Sequence, residues 1–153
     1  MKNMLGFAFF MLFLAGFAFV FMQGKQADSP RTESARFKSI TGIEWRPVAI
    51  GKSPVSADPA MFVRFETGGN IGGRAACNRF FGTWEFTGGE FRIGPLGATS
   101  MACPEPAMQL EREFLQAIEQ TKHLLLKPGS MHLLGTGNAA LAELVPAGRA
   151  ADD

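Results

Sequence analysis

Cys77 and Cys103 are the only cysteines in the chain, and His123 and His132 its only histidines; these four side chains carry the most chemical potential in the sequence. Three outcomes are open to them. An even cysteine pair in an exported domain forms a disulfide, the two thiols stay unpaired, or both thiolates join both imidazoles around a zinc or copper ion. The two cysteines lie far apart and lack the close C-x-x-C spacing of a strong zinc motif, which favours the disulfide. His123 falls where a helix gives way to a strand, so its ring is expected to meet the last helical carbonyls. His132 lies between Met131 and Leu133 in a strand-like run, and alternation turns it to the opposite side, toward solvent. A catalytic histidine also needs an orienting carboxylate and a nucleophile, and no local run supplies them. The expectation is no catalytic residue, no cofactor and no metal.

Two glycine runs imitate nucleotide motifs in letters only. Gly68-Gly69-Asn70-Ile71-Gly72-Gly73 has no lysine followed by serine or threonine to complete a phosphate loop. Gly135-Thr136-Gly137-Asn138-Ala139-Ala140 is followed by a strand-like run where a dinucleotide-binding helix should start. Both are read as turn chemistry. Arg74, Arg79, Arg92 and Lys52 form no sequence cluster, and the glutamates among them predict a mixed, solvated surface. Phe80, Phe81 and Trp84 could stack on a ligand, but aromatics in so small a domain are read as core. With 15 basic and 14 acidic side chains, no global field draws in nucleic acid.

These residues must be positioned by one domain. Residues 4–22 are apolar or glycine throughout, rich in phenylalanine, preceded by Lys2 and followed by a polar stretch. At about 1.5 Å per residue such a run can just cross a bilayer core of about 30 Å. Residues 1–22 are therefore expected to be a signal peptide or membrane anchor, and the length favours the anchor. Leu14-Ala15-Gly16-Phe17 looks like a lipobox whose cysteine is phenylalanine, which rules out thioether lipidation there. Lys25, Arg31, Arg36 and Lys38 follow the run and by the positive-inside rule alone would keep the domain cytoplasmic. A short N-terminal apolar segment feeding a C-terminal domain argues for export. The expected location is the cell envelope, with a periplasmic domain anchored in the inner membrane or secreted. Residues 23–39 read as a flexible linker, 40–147 as the folded domain and 148–153 as a disordered tail.

Within the domain, alternating runs at 44–50, 61–66, 70–76, 83–87, 90–93, 124–127, 131–134 and 140–145 predict strands separated by turns. Gly88-Gly89 and Lys127-Pro128-Gly129-Ser130 supply two hairpin turns. From Pro104 to about Gln120, Leu110, Phe114, Ala117 and Ile118 recur at helical spacing, with Glu111 and its charged neighbours placed on other faces. Pro104 suits the first helical position, where its missing N–H has no partner to lose. The fold class is α+β: a small antiparallel sheet or partly closed barrel with one packed helix.

Gly73-Arg74-Ala75-Ala76-Cys77-Asn78-Arg79-Phe80-Phe81-Gly82-Thr83-Trp84 and Pro95-Leu96-Gly97-Ala98-Thr99-Ser100-Met101-Ala102-Cys103-Pro104 are two ordered blocks that resemble the signatures of the META domain family, the heat-shock HslJ-like proteins. The motif positions Asn78, Gly82, Thr99 and Pro104 are present, while Ala76 stands where the family commonly has glycine. The resemblance covers residues 40 to 146 and implies an envelope protein associated with heat shock, stress or drug tolerance, without established enzymatic activity. Asn78 and Thr99 are expected to tie turns to the backbone. The functional expectation is a non-enzymatic binding or accessory module, with the membrane as partner through the N-terminal segment, an envelope protein or small ligand as a further partner, and no nucleic acid. The alternatives are a purely structural envelope-integrity domain and a thiol-disulfide oxidoreductase using Cys77 and Cys103.

Overall fold

The computed structural model describes residues 35, 38–57, 60–87 and 89–147. The expected anchor at 1–22, nearly all of the linker at 23–39 and the tail at 148–153 lie outside the described residues. Among the described residues no helix is long and apolar enough to cross a membrane.

Alternation in the sequence becomes strands in the order β1 (Glu44–Ile50), β2 (Ser53–Pro54), β3 (Phe62–Phe65), β4 (Asn70–Arg74), β5 (Arg79–Thr87), β6 (Glu90–Ile93) and β7 (Gly97–Ala98). Among the described residues one long helix, α1 (Glu105–Glu119), precedes β8 (His123–Lys127), β9 (Ser130–Leu134) and β10 (Ala140–Pro146). The main path of the sheet runs β6-β5-β4-β3-β1-β10-β9-β8, with β2 added to β1 and β7 to β5. Every ladder is antiparallel. The sheet curls until its end strands β6 and β8 approach, where Phe91 N donates to Lys122 O at 2.8 Å. This is the expected α+β class, a nearly closed barrel with one main helix.

Period-two burial fills the barrel from its inner faces. Trp84 stacks on Phe91 with ring centroids 5.2 Å apart, and Phe65 meets both rings edge-on. The indole N–H groups are satisfied on the spot, Trp45 donating to Ile40 O and Trp84 to Glu66 O. The fold starts slightly before residue 40, since 38–40 form a helical turn that delivers Ile40 to the core. Both anticipated hairpins form. Phe86 pairs with Phe91 and Lys127 with Ser130, and the turn glycines Gly89 and Gly129 take φ of 83° and 81°, a region that favours glycine.

Helix α1 lays Phe114, Ala117 and Ile118 into the core and touches β1, β6 and β10. Phe80 meets Phe114 edge-on at 6.1 Å. Pro104 is not the first helical residue. It is the N-cap, extended at ψ 146°, and its carbonyl accepts from Ala107 and Met108, while Pro106 sits inside the first turn. The first-turn N–H groups lack intrahelical acceptors, so a proline costs nothing at Pro106 either. β5 begins four residues earlier than expected, because Arg79 to Gly82, which read as a turn, pair with β4 and β7.

Candidate functional site

The cysteines are joined, Cys77 to Cys103, with Cα atoms 6.2 Å apart. Cys77 sits in the bend between β4 and β5 and is only 4% exposed. Cys103 lies directly ahead of α1, so the bond ties this bend to the start of the helix. Nearly two turns into the helix, Glu111 points its carboxylate at the same bend and is 5% exposed. Its Oε2 accepts the backbone N–H groups of Cys77 at 3.0 Å and Asn78 at 2.6 Å, and its Oε1 accepts Asn78 Nδ2 at 2.9 Å. The Asn78 side chain is saturated. Its Oδ1 accepts from Thr99 Oγ1 (2.9 Å) and Met101 N (2.7 Å), and its Nδ2 also donates to Met101 O. Thr99 Oγ1 in turn accepts Arg79 N at 3.1 Å. Three chain segments are thus locked by one disulfide and one carboxylate-centred network, and no buried side-chain nitrogen or oxygen among the described residues is left without a partner.

Burial alone would push the Glu111 carboxyl up, but the hydrogen bonds from the Asn78 side chain and from the Asn78 and Cys77 backbone outweigh it and hold the pKa below the ordinary carboxylate value of 4.5. A lowered folded-state pKa contributes stability that is present above the unfolded value and is lost as pH falls through the folded one. Melting temperature is therefore expected to drop on acidification below about pH 4.5, and the Glu111→Gln protein should lack that part of the slope. Thermal melts of both proteins across the acid range test this; parallel curves would contradict it.

A second feature lies at the barrel seam. Near the Phe91–Lys122 link, a cavity of about 370 Å³ is lined by residues of the β5–β6 hairpin and of β8. Its apolar lining includes Leu124, Leu126, Leu134, Phe86, Phe91 and Trp84. His123 and Asn138 are its side-chain polar groups. Leu125 is 45% exposed on an edge strand, an unusual place for a large apolar side chain.

Residues 38–147 match the family model described as META domain. The chain belongs to the META domain family. Among solved structures it is similar to an NMR structure of a protein from Burkholderia xenovorans, at 24% identity and a TM-score of 0.57, over 75% of this chain and 88% of that one. It is also similar to the crystal structure of a DUF4847 family protein from Bacteroides vulgatus, at 14% identity and a TM-score of 0.55, over 71% and 94%. Likenesses at these identities speak for the fold. No curated protein matches.

In this META domain the motif residues fall into the clamp. Cys77, Asn78, Thr99 and Cys103 meet there, Pro104 caps the helix that brings Glu111, and Gly82 stands nearby under the 95–97 segment. A Cβ on Gly82 would come within 2.7 Å of Leu96 Cδ2 and 3.0 Å of Pro95 O, so any larger residue would have to displace the Leu96 side chain and crowd the 95–97 backbone. Glu111 is the residue sequence reasoning misplaced, as it belongs to the buried face and not the polar ones. Its spacing from Phe114 and Ile118, i+3 and i+7, was the available signal. Of the aromatic trio, Phe80 and Trp84 are core as expected, whereas Phe81 is 64% exposed, because successive strand residues face opposite sides. His123 lines the seam cavity. His132 faces away from Met131 and Leu133 but is only partly exposed, 3.4 Å from Ser130 Oγ and 3.9 Å from Glu143 Oε1. The two cysteine sulfurs are taken up by the disulfide, and among the described residues no three histidine, cysteine or acidic side chains gather as a metal site. The Gly135–Ala140 run is a 3-10 turn, Thr136–Asn138, with Gly137 and Asn138 at positive φ.

Proposed function

We propose that this META domain is a non-enzymatic binding module of the cell envelope, exported and held at the inner membrane by residues 4–22, which takes a small amphiphile into the seam cavity. The observation that carries this reading is the cavity's composition. Its volume of about 370 Å³ falls in the range of small-molecule sites, which are mostly apolar with a few polar groups to fix orientation. The leucines of β8 and the rings of the β5–β6 hairpin suit an alkyl chain, and His123 and Asn138 suit its polar end. The network around the disulfide supports a non-catalytic role, because Cys77, Asn78 and Glu111 are buried and spend their hydrogen-bonding capacity within it.

Decanoate is a suitable probe. A ligand of the native state raises stability by mass action, by about 2.7 kcal/mol at a hundredfold excess over its Kd. The full chain is expected to melt at higher temperature with saturating decanoate, and Leu126→Glu should remove that rise, read from the variant's own unliganded melting temperature, since Leu126 lines the cavity and packs against the core. An equal rise in both proteins would place decanoate elsewhere. No rise in either would favour a purely structural domain.

A further inference from the structure

The outer face of the barrel, opposite the packed core, carries an ordered pattern unrelated to the seam. Cross-strand pairing sets Phe62 of β3 opposite Arg74 of β4, and Arg74 opposite Arg79 of β5. The register that pairs Glu44 with Arg64 and Trp45 with Val63 continues so as to bring Arg46 of β1 level with Phe62. One transverse row therefore reads Arg46, Phe62, Arg74, Arg79. It spans three interstrand steps, about 14 Å. In the neighbouring row Arg64 is neutralised by Glu66 at 2.6 Å and Glu44 at 3.8 Å. Arg46, Arg74 and Arg79 have no carboxylate partner among the described residues. Like charges directly opposite on a sheet are unfavourable, and Arg74 facing Arg79 is such a pair.

Beside the row stands an aromatic ring in water. Phe81 is 64% exposed, flanked by Gly72 on β4 and by Gly97 on β7, whose missing Cβ makes room for the ring at 2.8 Å. With glycine on both sides, the ring projects above a shallow hollow of about 380 Å³. Guanidinium groups are suited to phosphate oxygens, and apolar side chains set among cations are how a protein rests at the boundary between headgroups and acyl chains.

We propose that the Arg46–Arg74–Arg79 row and Phe81 dock this face on a bilayer surface bearing anionic phospholipids, the guanidinium groups on headgroup phosphates and the Phe81 ring at the acyl boundary. The proposal rests in part on the anchoring read above, because only the short stretch from residue 23 to 37 separates the apolar run from the first turn of the domain, and that tether keeps lipid at high local concentration. A cationic row this open, with one ring standing on it, fits a broad anionic surface better than a shaped pocket does. Each basic side chain near such a surface strengthens attraction roughly fivefold.

The test uses the full chain in nanodiscs of phosphatidylcholine alone or mixed with phosphatidylglycerol, with acyl chains brominated near the headgroup. Association with phosphatidylcholine discs reads the anchor. Quenching of a Phe81→Trp reporter, relative to the unsubstituted chain with its buried Trp45 and Trp84, reads the face. Strong quenching is expected in the anionic discs, and Arg74→Glu/Arg79→Glu should weaken this contact by roughly 25-fold or more. The double variant keeps a like-charged pair, so its melting temperature should move little. If the anchor fails, association with anionic discs alone that is lost in the double variant still supports docking. Equal brightness of Trp at position 81 in both discs overturns it, and arginine-dependent capture of polyglutamate in that case would assign the row to an acidic protein instead.

Discussion

Glu111→Ala is expected to lower the free energy of unfolding by about 3–5 kcal/mol, a large share of the roughly 5–15 kcal/mol that a domain has in reserve. The substitution removes the carboxylate that accepts the Cys77 and Asn78 backbone N–H groups and one partner of the Asn78 amide, all in a bend that is nearly closed to water. A buried donor left unsatisfied costs about 1–3 kcal/mol, and water entering the space left by the side chain keeps the total below the sum. Glu111→Gln is expected to be nearly as harmful despite its matching shape. One carboxylate oxygen faces two N–H groups and the other faces the Asn78 amide, so either orientation of a glutamine amide points a donor at a donor. Chemical denaturation of the three proteins measures this. A glutamine protein as stable as the parent would mean that the carboxylate is not the centre of the network.

Removing the disulfide, by Cys77→Ser/Cys103→Ser, is expected to cost about 3–4 kcal/mol, because cross-linking residues separated by 26 positions restricts the unfolded chain substantially. Serine at position 77 also places a hydroxyl in a site that is nearly closed to solvent. The bond and the carboxylate hold the same bend to the same helix end, so their contributions should not add. A cycle combining the cysteine pair with Glu111→Ala is expected to give a coupling of at least about 0.5 kcal/mol, and strict additivity would separate the two devices. The response of the unsubstituted protein to reductant bears on the enzymatic alternative. A bond whose Cys77 partner is buried should resist mild reductant, whereas rapid reversible reduction near the compartment's poise would reopen a redox role.

Much of this architecture could be read in advance because it is written in local rules. Alternating burial at Trp84, Phe86, Phe91 and Ile93 specifies a hairpin, and Pro128-Gly129 specifies its neighbour's turn. What could not be read depends on cross-strand placement. Ser53–Pro54 and Gly97–Ala98 form strands of two residues, too short to carry any period. Arg74 and Arg79 look unrelated along the chain, separated by the Cys77 bend, and become direct partners only when β4 pairs with β5. The seam cavity has no sequence signature at all, since its lining comes from segments far apart in the chain, from Ile40 to Asn138. Glu111 was legible in principle by helical spacing. A carboxylate among apolar residues reads as solvent-facing until the two N–H groups it must satisfy are located, and those lie more than thirty positions earlier in the chain.

The division of labour is the central claim: the family's motif residues hold the fold together, and recognition takes place at the barrel seam. Leucine and methionine methyl spectra of the full chain, recorded during titration with decanoate, test it most directly. The account predicts saturable shifts confined to Leu124, Leu125, Leu126 and Leu134, with Met101, Leu110 and Leu115 unmoved. Shifts centred on Met101 and helix α1 would contradict it, placing recognition at the clamp itself.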